Sequence, residues 1–181
     1  MGNLKSGMKI KGILDIQMID KDGKIVDSRH VENLIVTSGL SHLGALLGSG
    51  VATLSAGGYV GVKSLGLGND NTAANTAQTN LISEIYREGA TTGTLASSLI
   101  TTVLTNDTLQ FTLTVAAADA VGTWKEAALF AASTAQPCDD EYDGAPPEYP
   151  GVMINRLIFS DLVKTTSFTV LLTWKLVFAD A

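Results

Sequence analysis

The chain has 181 residues, of which 45% are hydrophobic and only 17% charged, and its formal net charge is −6. That length supports one buried core, while the acidic balance excludes a broad basic field that would exchange counterions with nucleic acid. The only cysteine, Cys138, excludes an internal disulfide and a thiolate metal cluster. No stretch approaches the roughly 20 apolar residues of a membrane span, and the N-terminus has no apolar signal core. A soluble chain made in the cytoplasm is therefore expected. Met1-Gly2-Asn3-Leu4-Lys5-Ser6 fits a loose myristoylation pattern, which matters only in a host that has the transferase. Basic residues crowd the start: Lys5, Lys9, Lys11, Lys21, Lys24 and Arg29 are half of the total.

In chain order, Ile13 to Asp20 alternates apolar and polar residues, Asp20-Lys21-Asp22-Gly23 supplies a turn, and Lys24 to Val31 returns as a partner strand. From Asn33 the period changes. Leu40, Leu43 and Leu47 lie three or four apart behind Thr37 and Ser38, which can cap a first turn, and Gly48 follows where a C-terminal cap would sit. A short helix over about Ser38 to Leu47 is expected. Ser49 to Gly58 reads as a glycine-rich connection. Tyr59 to Gly68 reads as a strand whose glycines permit a bulge or a close backbone approach. Gly66-Leu67-Gly68 starts like a dinucleotide fingerprint, but Asn71 stands where the third glycine belongs. Asn69 to Thr79 is a run of turn and cap formers. Leu81, Ile82 and Ile85 point to a brief helix ending near Arg87.

Thr91 to Thr105 and Thr108 to Val115 form a second hairpin on their β-branched alternation. A turn with Asp119 and Gly122 leads to a strand over Gly122 to Phe130, although Lys125 to Ala132 alone would also pass as helix. Pro137 to Pro150 holds all four prolines with Asp139, Asp140, Glu141, Asp143 and Glu148 and no basic residue, so it projects as a loop. Val152 to Phe159 and Phe168 to Phe178 are strands separated by Asp161 to Thr165. In the last, Phe168, Val170, Leu172, Trp174, Leu176 and Phe178 fall at every second position, which sends them to one face.

No catalytic relay is legible. His30 and His42 are the only imidazoles, one on a charged hairpin arm and one inside a helix, and neither sits in a nucleophile motif. Trp124 and Trp174 fall on core-like strand positions. No enzyme, cofactor or metal site is expected.

Several blocks in order resemble a domain of tailed-bacteriophage structural proteins. They are Asn33-Leu-Ile-Val-Thr-Ser-Gly-Leu, Leu65-Gly-Leu-Gly-Asn with the threonine and alanine-rich loop behind it, Gly122-Thr-Trp-Lys-Glu-Ala-Ala-Leu-Phe, and Met153-Ile-Asn-Arg-Leu-Ile-Phe through Lys164 to Trp174-Lys-Leu-Val-Phe. They cover about residues 30 to 178. The resemblance implies a non-enzymatic virion component of a head, tail or fibre assembly, with no catalytic residues to carry over. Family members often have glycine after the Glu-Ala pair, where this chain has Ala128. The acidic proline loop is an elaboration of this chain.

Periodicity and resemblance agree on a mainly β, single-domain antiparallel β-sandwich, jelly-roll-like, with one or two short helices. An N-terminal arm covers residues 1–12, and the domain covers 13–181 with the acidic Pro-rich loop at 137–150. A freestanding domain of this kind suits a capsid decoration (cement) protein, a homotrimer on the outside of the head shell whose partner is the major capsid protein, with no nucleic-acid or membrane partner. A tail, baseplate or fibre-attachment part is the alternative. A carbohydrate-binding β-sandwich is the third reading and predicts an exposed aromatic platform. Candidate contact residues are Leu4, Lys5, Lys9 and Lys11 in the arm and Asp139, Asp140, Glu141, Asp143 and Glu148 in the loop.

Overall fold

The computed structural model describes residues 8–47, 59–89, 100–105, 107–133 and 151–180. Among them β1 (Met8–Asp20) and β2 (Ile25–Ile35) precede the helix α1 (Thr37–Leu47). β3 (Tyr59–Gly68), β4 (Glu84–Gly89), β5 (Ile100–Thr105), β6 (Thr108–Val115), β7 (Gly122–Ser133), β8 (Gly151–Lys164) and β9 (Phe168–Asp180) follow. Every ladder is antiparallel.

The strand order β4-β3-β7-β8-β2-β1-β9-β6-β5 runs without a break, yet β2 and β8 share only the pairs Leu34–Arg156 and Ile35–Asn155. The chain therefore folds over at that junction into two sheets. Sheet A holds β2, β1, β9, β6 and β5, and sheet B holds β4, β3, β7 and β8, joined by the end of β2. Where β2 and β8 diverge, Arg29 spans the gap, its guanidinium donating to the carbonyls of Ser160 and Asp161 and pairing with Asp27.

Alternation explains the core. From sheet A, Leu14, Ile16 and Met18 of β1, Phe111, Leu113 and Val115 of β6, and Val170, Leu172, Trp174 and Leu176 of β9 point inward. From sheet B they meet Leu65, Leu67, Tyr86, Trp124, Ala127, Leu129, Leu157 and Leu162. Both tryptophans are fully buried, and truncating such a ring costs about 3–5 kcal/mol. β9 is central in sheet A, paired with β1 on one side and β6 on the other, which is why its apolar row is the longest.

The β1–β2 hairpin closes at the expected turn. Asp20 Oδ1 accepts the backbone N–H groups of Asp22 and Lys24, each at 2.9 Å, and Gly23 takes φ +80°. α1 begins one residue before the expected start. It is seated against β8, where Ser38 Oγ donates to the Met153 carbonyl at 2.9 Å. A Cβ on Gly39 would lie 2.0 Å from the Ile154 carbonyl oxygen, so no larger residue fits between helix and strand.

Two expectations are corrected. The segment ending near Arg87 is the strand β4, because Tyr86 and Glu88 turn inward opposite Leu67 and Leu65 while Arg87 turns outward opposite Gly66. Asp161 to Lys164 is not a connection but the end of β8, held by the pairs Trp124–Leu162, Thr123–Val163 and Gly122–Lys164. The strand expected over Gly122 to Phe130 is present and runs on to Ser133 as β7. One short helix occurs among the described residues, within the one or two expected.

Candidate functional site

The strand switch of β2 creates a free edge. β2 runs beside β1 as far as the pair Gly12–Asn33, then leaves it to meet β8. Among the described residues, Met8 to Lys11 consequently pair only with β9, opposite Asp180 to Val177. β6 reaches β9 only up to Val177, with one further bond from Phe178 N–H to the Asp107 carbonyl at 2.9 Å. The result is a two-stranded extension of sheet A, about 13 Å long at roughly 3.3 Å per residue. Lys9 is exposed on it, and Lys11 pairs with Glu32.

The solvent face of sheet A continues from this extension. Asp15 accepts from Lys175 at 2.8 Å and from the His30 ring at 2.6 Å. Burial opposes ionisation of Asp15, but the hydrogen bonds and charges of Lys175 and His30 outweigh it and hold the carboxyl below the usual aspartate range. Around this cluster lie half-buried Ile13, Gln17, Ile19, Leu171, Thr173 and Val177. Lys9, Lys11 and Lys175 thus stand together at one end of a chain whose net charge is −6.

Sheet B is covered on its far face. Arg156 and Glu126, both fully buried, pair at 2.7 Å. Glu126 also accepts the backbone N–H of Ser83 at 2.8 Å, and Arg156 donates to the Thr72 carbonyl and to Gln78 Oε1, each at 3.0 Å. One ion pair therefore fastens both ends of the segment 69–83 across the sheet. The glycines of Gly66-Leu67-Gly68 have their explanation here: a Cβ on Gly68 would lie 2.5 Å from Ser83 O, and one on Gly66 would lie 2.9 Å from Leu81 Cδ1. They admit a covering segment and not a phosphate. Beside them Arg87 lies 3.6 Å from the centre of the Phe130 ring and pairs with Glu84.

At the other end of the sandwich, three turns frame an open cleft of about 450 Å³ lined by Asp20, Lys21, Asp22, Ala117, Thr166, Ser167, Phe168 and Thr169. Its polar groups are hydroxyls, carboxylates and one ammonium. Nearby, Lys164 is nearly buried and donates to the Ala117 and Asp119 carbonyls at 3.0 and 2.6 Å. Burial pushes its pKa below the ordinary lysine value, against the attraction of Asp119.

Of the residues expected to make outside contacts, Lys9 and Lys11 lie together on the free part of β1. Leu4, Lys5, Asp139, Asp140, Glu141, Asp143 and Glu148 lie outside the described residues, as do Cys138 and the connection 49–58. Sequence reasoning missed Lys175, Asp15 and His30 as one cluster, because their union depends on register. The alternation of β9 did place Lys175 on the face opposite the apolar row, which was half of the signal. Trp124, Trp174, Phe111 and Phe159 point into the core and Phe130 is buried on the covered face of sheet B, leaving Phe168 and Phe178 as partly exposed rings among the described phenylalanines and tryptophans. Comparison of the chain with family models, curated proteins and solved structures gives no match.

Proposed function

We propose that the protein is a non-enzymatic structural part of a virus particle, a capsid decoration protein that binds the outside of the head shell and stabilises it. The observation that carries this reading is the lysine-bearing free edge Met8–Lys11, built on a long two-sided ladder and presented by an otherwise acidic chain. A rigid sandwich with one basic edge is suited to docking on a surface of opposite charge, here the major capsid protein. Each bound copy lowers the free energy of the assembled shell relative to separated subunits, by mass action. The resemblance of the blocks from Asn33 to Phe178 to tailed-phage structural proteins supports the same reading, and a homotrimer is the form proposed for the bound unit.

The test is a count of copies in purified particles, followed by rebinding of the Lys9→Glu, Lys11→Glu variant to particles stripped of the protein. A copy number near that of the capsid subunit, with weakened rebinding of the variant, is the expected result. Copies tens-fold rarer would move the protein to the tail or baseplate, and absence from the particle would overturn the reading.

A further inference from the structure

The inward row of β9 runs out at Phe168, opposite Asp20 at the end of β1. Its ring packs on the edge of the core yet stays half-exposed, and with Ala117 it gives the cleft of about 450 Å³ an apolar side. Around that side stand the carboxylates of Asp20 and Asp22, the ammonium of Lys21 and the hydroxyls of Thr166 and Ser167. The three turns that frame the cleft are each tied down. Asp20 Oδ1 holds the first through the backbone N–H groups of Asp22 and Lys24. Lys164, only 1% exposed, holds the second by donating to the carbonyls of Ala117 and Asp119, and Trp124 Nε1 donates to the Ala120 carbonyl at 2.7 Å. In the third, the Thr165 carbonyl accepts the N–H of Phe168 and the Thr165 hydroxyl accepts the N–H of Ser167. The walls are therefore set before any ligand arrives, which lowers the cost of binding one.

We propose that this cleft binds one ring of a neutral sugar. Its volume falls within the range of about 300–1,000 Å³ usual for small-molecule sites. A pyranose matches the lining: it has a C–H face to lie on the Phe168 ring, and neighbouring hydroxyls that donate to carboxylates and accept from an ammonium. Charge decides against other ligands. Asp20, Asp22 and Lys21 sum to −1 beside the cleft, on a chain of net charge −6, which disfavours phosphates and sugar acids. Lys21 already pairs with Asp22 at 3.0 Å and repels a cationic ligand, whereas a hydroxyl can bond to both partners. The cleft and the lysine edge lie at opposite ends of β1, about 40 Å apart at roughly 3.3 Å per residue. A copy docked by Lys9 and Lys11 points the cleft away from the shell, where a glycan can reach it. Sugar binding itself needs no docking, so it stands or falls separately from the shell reading.

The experiment titrates the isotope-labelled full chain with the methyl glycosides of glucose, galactose, mannose and N-acetylglucosamine, up to tens of millimolar, beside glucuronate and spermidine, and follows backbone amide shifts. At least one methyl glycoside is expected to shift the amides of 20–22, 117 and 166–169 with a millimolar Kd. Phe168→Leu keeps an apolar side chain against the core but removes the aromatic face, and Asp22→Ala removes an exposed acceptor. Each should weaken that Kd by about three- to ten-fold. Phe178→Leu, at the far end of β9, should leave it unchanged, and the amide spectrum of each free variant checks its fold. The proposal is overturned if no methyl glycoside shifts those amides, if the shifts survive both cleft substitutions, or if glucuronate or spermidine binds there in preference to every glycoside.

Discussion

Sheets A and B share the same antiparallel ladder but differ in what lies on their outer faces. Sheet A leaves Asp15, His30, Lys175, Lys11 and Glu32 in contact with water. Sheet B carries charges on its outer face too, yet covers them with α1 and the segment 69–83, so that Glu126 and Arg156 lose all solvent. Charge on an open face costs little and contributes little. Charge under a cover must be paired, and the pair then fixes where the cover sits.

The sharpest test of this contrast is Arg156→Met. It strands Glu126 without its partner and should cost about 3–5 kcal/mol in urea denaturation. Adding Glu126→Gln should return part of that, because an amide oxygen still accepts the Ser83 N–H and no charge is left buried. If Arg156→Met matched the parent, the cover would not depend on the pair.

Gly39→Ala comes next. Its methyl would collide with the Ile154 carbonyl and push α1 off sheet B, a loss of about 1–3 kcal/mol. Faster amide exchange in α1 than in β9 would localise the damage to the covered face.

On sheet A the effects should be smaller and dependent on pH. Asp15 has a depressed folded pKa, so its contribution is present above the unfolded aspartate pKa and is lost as pH falls through the folded value. Lys175→Met removes the strongest opposing influence and leaves burial in place. The Asp15 pKa then rises, and the acid-side loss of stability begins at higher pH, measured as the urea midpoint between about pH 2 and pH 6. Smallest of all is Glu32→Gln at the exposed Lys11 pair, for which no change in the midpoint is expected. A clear loss there would show that the open face is more organised than the contrast allows.

The alternation of β1, β6 and β9 was legible because side chains on a strand repeat every two residues whatever their partners. The Asp20–Gly23 turn and α1 were legible because their signals are local. The Leu81 to Arg87 segment misled because three apolar residues at helical spacing also fit a strand edge, and only pairing with β3 decides between them. Asp161 to Lys164 misled because a polar stretch reads as a turn unless β7 is there to extend the ladder. Of the candidate contacts, the sequence named Lys9 and Lys11 but could not bring them to the end of the sheet that holds Lys175.

Composition and period alone determined a mainly β domain with an inward row on its last strand, since burial of alternate residues needs no knowledge of neighbours. Strand order, the switch of β2 between sheets, the free edges it leaves and the partners of Glu126 and Arg156 were decided by tertiary structure. They join residues tens of positions apart, and no local pattern records which strand lies beside which.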